Sequence, residues 1–179
     1  MKFSSGFISR TQEISDLFEN TFATSEGPEE GALIADFVRH LMSSSAKEDL
    51  YCFTALEGPE IVGGIFLSRL TYAQDDRQVF ILSPVAVKPA WQGKGVGQQL
   101  ISFGLSELRQ NGIDFVTTYG DTAFYSRVGF RQISEEFAQA PLALSQPEGW
   151  LGQSLTANSM NPISGPCTCV PALNNPDLW

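Results

Sequence analysis

The chain has 179 residues, 42% of them hydrophobic and 11% aromatic, and its 11 basic against 20 acidic residues leave a formal charge of -9. That is enough for one folded core and excludes a disordered chain, and no apolar run approaches the roughly 20 residues of a bilayer span. The acidic balance argues against nonspecific nucleic-acid binding, which needs Lys and Arg to neutralise phosphates, and mildly favours cationic small partners.

Met1 to Gly6 lack the apolar core of a signal peptide, so a cytoplasmic location is the default expectation. Phe7-Ile8-Ser9 reads as a short first strand, and Thr11 as the cap of a helix carrying Ile14, Leu17, Phe18 and Phe22 at helical spacing. Ser25 to Pro28 break that helix, and Pro28 with Glu29 and Glu30 opens a second, faced by Leu33, Ile34, Phe37, Val38 and Leu41. Leu50–Leu56 and Ile61–Leu67, joined across Glu57-Gly58-Pro59-Glu60, form a hairpin. After a polar loop at Gln74 to Arg77, Val79–Leu82 and Val85–Val87 make a long strand interrupted by Ser83-Pro84. Proline cannot donate to a ladder and marks a bulge or a splayed edge. Gly97 opens a helix buried at Leu100, Ile101, Leu105 and Leu108, and Asn111-Gly112 closes it. Ile113 to Tyr119 is then a strand parallel to the previous one. A short helix near Thr122 to Arg127 stops at Gly129, Phe130 starts another strand, and Trp150 to Leu155 is a strand in an otherwise irregular tail.

Cys52 reads as a small buried hydrophobe. Cys167 and Cys169 would share one face of a strand, but with no second cysteine pair and His40 as the sole histidine, no metal site is expected.

The chemistry concentrates between Val87 and Gly97. A strand ends, Lys88-Pro89 turns the chain, and the amides of Gly93 to Gly97 can converge before a helix N-terminus, where unpaired N–H groups and the helix dipole favour an anion. Lys94 adds charge at the rim, and Gln92 can brace the loop or touch phosphate. A Walker-type loop is excluded because Gly95 follows Lys94, where Ser or Thr should bind magnesium. A dinucleotide fingerprint fails because Gln98 stands where its last glycine should. Gln-x-x-Gly-x-Gly, met by Gln92, Gly95 and Gly97, remains.

With its neighbours Leu82, Pro84, Val85, Ala86, Val87, Pro89, Trp91 and Gln98, this loop resembles the central motif of the GNAT acetyltransferase superfamily. Downstream, Ala123 to Phe130 is similar to that family's aromatic-Tyr-x-x-x-Gly-Phe motif, and Gly120-Asp121 to the Gly-Asp-x-x-Tyr-Tyr form of one bacterial branch. The order of elements agrees from about Phe7 to Phe130; the tail is only loosely similar.

The resemblance implies an α/β GNAT fold: a mixed, mostly antiparallel sheet splayed at a central bulged strand and flanked by helices. It implies a single N-acetyltransferase domain over 1–179, with a core at 6–135 and a partly irregular C-terminal extension at 136–179. It implies acetyl-CoA as cosubstrate, with no metal. The pyrophosphate would lie on Gln92, Gly93, Lys94, Gly95, Val96, Gly97 and Gln98, and the pantetheine arm would pair like an added strand with Val85, Ala86 and Val87. Phe124 joins these cofactor-binding candidates. Tyr125 matches the general acid that protonates the departing thiolate, and it can also simply hydrogen-bond the sulfur. Asp121 is the best-placed general-base candidate, but its place before a short helix favours the role of N-cap. Tyr119 and Thr117 line either the acceptor pocket or the core.

The expected activity is acetyl transfer to a primary amine of an unidentified small molecule or peptide, attacked directly in a ternary complex. A non-catalytic acyl-CoA sensor or scaffold is the alternative. The first two helices and the loop from Tyr72 to Arg77 are expected to shape the acceptor pocket, where Glu26, Glu29 and Glu30 would suit a cation, though a solvated helix start explains them as well. Such folds commonly dimerise, though nothing in this sequence selects a homodimer. No nucleic-acid or membrane partner is expected.

Overall fold

The computed structural model describes residues 1–156 and 160–179. Among these residues eight strands form one sheet: β1 (Lys2–Ser5), β2 (Leu50–Glu57), β3 (Glu60–Tyr72), β4 (Asp75–Val87), β5 (Phe115–Tyr119), β6 (Arg131–Gln132), β7 (Trp150–Ser154) and β8 (Cys167–Cys169). Their order is β1-β2-β3-β4-β5-β7-β6, with β8 paired to the free end of β3. Among the described residues only β4 and β5 run parallel; every other pairing is antiparallel. The fold is the mixed, open, helix-flanked sheet that the motifs imply.

α1 (Thr11–Glu26) and α2 (Pro28–Ser44) cover one face. They bury Ile14, Leu17, Phe18, Ile34, Phe37, Val38 and Leu41 in one cluster with Cys52, Phe66 and Trp150. α3 (Val96–Gln110) covers the other face, placing Leu100, Ile101, Leu105 and Leu108 against Phe53, Ile65 and Phe80. Each such fully buried side chain contributes about 1.5–3 kcal/mol. Among the described residues no helix is long and apolar enough to cross a membrane.

The first strand lies at Lys2–Ser5 and not at Phe7 to Ser9. Gly6 still donates to Cys52 O, but its φ of 92° turns the chain out of the ladder; Phe7 then packs on Phe66 and Ile8 is exposed. The expected polar loop at Gln74 to Arg77 is mostly strand, since Asp75 already pairs with Tyr72. Its charges serve a tertiary purpose. Arg77 grips Asp75 and donates to the carbonyls of Asn161 and Pro162, so that the returning tail is tied to the hairpin. The sheet extends beyond residues 6–135 at both ends, because β1 precedes that span and β7 and β8 follow it. β7 lies between β5 and β6, and Trp150 Nε1 donates to Ala138 O at 2.9 Å within the core.

The two helices of the first face touch at Gly31. A Cβ there would lie 2.7 Å from Glu19 O and 2.9 Å from Ala23 N, which are backbone atoms that cannot swing aside. Gly31→Ala is therefore expected to destabilise the protein by about 1–3 kcal/mol in spite of alanine's better helix propensity. Thermal denaturation should show the melting temperature falling by several degrees; an unchanged or raised value would refute the close contact.

Candidate active site

β4 and β5 pair from Val79 with Phe115 to Leu82 with Thr118, and there the pairing ends. At that point β4 gains a residue, because Leu67 of β3 faces Leu82 whereas Ile65 faces Val85. The bulge holds Ser83-Pro84, and Pro84 has no N–H to give to a ladder. The Thr118 hydroxyl donates to Leu82 O at 2.8 Å, closing the parallel ladder where the strands part.

Past the bulge β4 remains paired to β3, and Lys88 N donates to Val62 O at 2.9 Å. Hydrogen-bonding direction alternates along an antiparallel strand, so this bond sets the phase. Ala86 turns its amide and carbonyl toward Gly64, while Val85 and Val87 turn theirs away from β3 into the opening. Of the three strand residues expected to present their backbone, Ala86 is thus directed elsewhere, and its side chain is buried.

A cleft of about 860 Å³ fills the opening. On one side, a 3-10 turn at Pro89–Trp91 leads into Gly93 and Gly95, whose φ values of 72° and 78° suit glycine and strain other residues. Gly95 caps α3, and the first amide after the loop with an intrahelical partner is that of Gln99, bonded to Gly95 O. The amides of Val96, Gly97 and Gln98 therefore stand at a helix N-terminus that favours an anion. Gln92 Nε2 donates to Val87 O at 2.9 Å, so this side chain braces the loop against the end of β4. Lys94 lies over the Trp91 ring at 5.0 Å and, like Ala86, does not line the cleft.

On the other side, α4 (Thr122–Tyr125) begins immediately after β5. Phe124 packs over Gly97, where a Cβ would meet its ring at 3.3 Å, and Tyr125 crosses Phe124 and Phe130 edge to face. A side chain at Gly120 would come within 2.9 Å of the Tyr125 ring. Burial pushes the Tyr125 phenol above its ordinary pKa, with the Thr118 hydroxyl opposing and the Asp121 carboxylate adding to the rise. The Asp121 carboxylate caps α4, accepting from Ala123 N at 2.9 Å. Its expected availability as a base is accordingly reduced by a structural bond. Tyr119 lines the cleft with its hydroxyl held by Ser145 and Gln146 N, whereas Thr117 is fully buried in the core.

Glu26 and Glu30 reach the cleft; Glu29 does not. The Tyr72 to Arg77 segment takes no part in it, since it sits at the opposite end of the 13-residue strand β4. Phe22, Ser83, Arg127 and Leu178 also line the cleft, though the sequence marks none of them as a site residue. Arg127 could have been found as the basic residue inside the aromatic motif; Leu178 carried no signal.

The acetyltransferase (GNAT) domain family matches residues 48–132. An uncharacterised N-acetyltransferase of Escherichia coli strain K12, YjhQ, is 35% identical over 142 residues, covering 76% of this chain and 77% of the relative. Among solved structures, the GNAT family N-acetyltransferase YhbS from Escherichia coli, in complex with CoA, superposes with a TM-score of 0.82 at 22% identity, covering 97% of this chain and 92% of that one. A GNAT family acetyltransferase from Brucella melitensis, in complex with acetyl-CoA, gives a TM-score of 0.69 at 22% identity over 96% of each chain.

The raised phenol pKa has a direct consequence. In a spectrophotometric titration, the difference between the intact protein and Tyr125→Phe should place Tyr125 ionisation above about 10, the value of an unperturbed tyrosine. The group would thus stay protonated throughout the neutral range; ionisation at or below that value would contradict its burial.

Proposed function

The chain belongs to the GNAT acetyltransferase family, which makes it an acyltransferase, and from that premise we propose that it moves an acetyl group from acetyl-CoA to a primary amine in a ternary complex. The observation that carries this reading is the parting of β4 from β5. It gathers the Val85 and Val87 backbone, the amides before α3 and the Tyr125 phenol around one cleft. In this reading the pyrophosphate lies against Gly93 to Gly97, and the pantetheine amides pair with Val85 and Val87 as an added strand. Gln92 and Phe124 support the loop, and Lys94 lends charge from the rim. Gly120 to Tyr125 is read as the branch motif with Phe124 in place of its first tyrosine.

Transfer requires a neutral amine to attack the thioester carbon and the thiolate to leave with a proton. Tyr125 donates that proton to sulfur as the carbon–sulfur bond breaks; its raised pKa keeps the donor loaded. In this reading the Val85 N–H, which faces the cleft, receives the developing oxyanion. The proton lost by the attacking nitrogen passes to water. Asp121 is assigned the helix cap and not the base.

In a thiol-release assay with acetyl-CoA and a panel of amines, Tyr125→Phe is expected to lower kcat by about 100-fold with little change in the KM for acetyl-CoA. Coenzyme A binding without turnover of any amine would instead support a sensor or scaffold, and protection by ATP or NAD but not coenzyme A would point to a nucleotide site.

Asp121→Asn separates cap from base, because asparagine caps as well as aspartate but cannot accept a proton. Turnover should stay within a few-fold of the intact protein; a collapse of kcat with an unchanged melting temperature would make Asp121 the base.

A further inference from the structure

The part of the cleft beyond the bulge is built by the junction of α1 and α2 and by the returning C-terminal segment. Phe22 and Glu26 come from the last turns of α1, and Glu30 and Ile34 from the start of α2. Gly27, at φ 103°, reorients the chain between the two helices, so both carboxylates reach one wall. Leu178 is held in the lining by its neighbour. Trp179 Nε1 donates to Leu173 O at 3.0 Å, and its ring stands 5.9 Å from Tyr119 and 6.1 Å from Trp150.

The cleft lining therefore holds both the glycine-loop backbone and two carboxylates, Glu26 and Glu30. Among the described residues, neither of these carboxylates forms an ion pair. Phe22, Ile34 and Leu178 add apolar surface to the same cleft. Glu26 is exposed and Glu30 half-buried, and their like charges repel and are relieved by a cation. Burial, and then Glu26, hold the Glu30 carboxyl above its ordinary range, the direction expected of a carboxylate lacking its counter-charge.

We propose that the acceptor is an aliphatic diamine or polyamine, one amine attacking the thioester while its hydrocarbon segment lies on Phe22, Ile34 and Leu178 and a second ammonium sits between Glu26 and Glu30. This rests on the acetyl-transfer reading above. An uncharged end would leave the acidic pair uncompensated, so discrimination comes from the far end of the acceptor and not from the reacting nitrogen.

The test uses the full chain with acetyl-CoA and compares cadaverine and spermidine with n-pentylamine, alongside calorimetric titration with coenzyme A. The kcat/KM for the diamines should exceed that for n-pentylamine by about tenfold or more. Glu26→Gln with Glu30→Gln should bring the ratio toward one without changing coenzyme A affinity. Equal turnover of the monoamine, or a preference that survives the double substitution, would overturn the assignment. Coenzyme A binding with no consumption of any of the three amines would overturn it while leaving the cofactor site standing; failure to bind coenzyme A would remove the acetyl-transfer reading as well.

Discussion

The molecule depends on one interruption: β4 stops pairing with β5 after Leu82 and Thr118 while continuing to pair with β3. A continuous sheet would satisfy those backbone groups internally and leave no cleft. Here the extra residue at Ser83-Pro84 redirects β4, and the Thr118 hydroxyl satisfies the Leu82 carbonyl that the separation would otherwise strand.

Everything of chemical interest is placed by its sequence distance from that interruption. The glycine loop follows the far end of β4, and α4 follows β5, so the two diverging strands deliver the amides before α3 and the Tyr125 phenol to one cleft. The walls stay in register because Phe124 closes on Gly97 and Tyr125 fits over Gly120, two positions where the missing Cβ sets how near the elements come. The outer helices contribute differently. They cover the sheet with apolar side chains and bring only their junction, around Gly27, to the cleft.

Much of this was legible in the chain, because the signals were local. Ser83-Pro84 marked the interruption by chemistry that proline cannot evade, Asn111-Gly112 ended α3, and Asp121 was recognisable as a cap from its place before a short helix. Expectations failed where a tertiary contact outweighed a local pattern. Phe7 and Ile8 have strand-forming side chains, but Gly6 turns them away from the sheet. The charged Asp75 and Arg77 look like loop residues, yet the strand carries them because they grip each other and the tail. Ala86 could not be told from Val85 and Val87 without the register fixed by Lys88 and Val62. Leu178 was invisible for the simplest reason: its position comes from Trp179 packing against residues at least 29 positions away in the chain.

The brace from Gln92 to Val87 gives the open edge a defined terminus. Peptide-like pairing along a bare strand can slip by two residues and regain equivalent bonds, which would move whatever is bound by nearly 7 Å. Gln92 fills one of the two acceptor positions of the Val87 carbonyl, so a slipped register would meet an acceptor already partly used. The strand then works as a ruler with its zero mark at the glycine loop: an arm of fixed length anchored there can end at only one depth. In the proposed reading that depth is the level of Tyr125, so a side chain remote from the reacting atoms would decide whether the thioester arrives within reach of its acid.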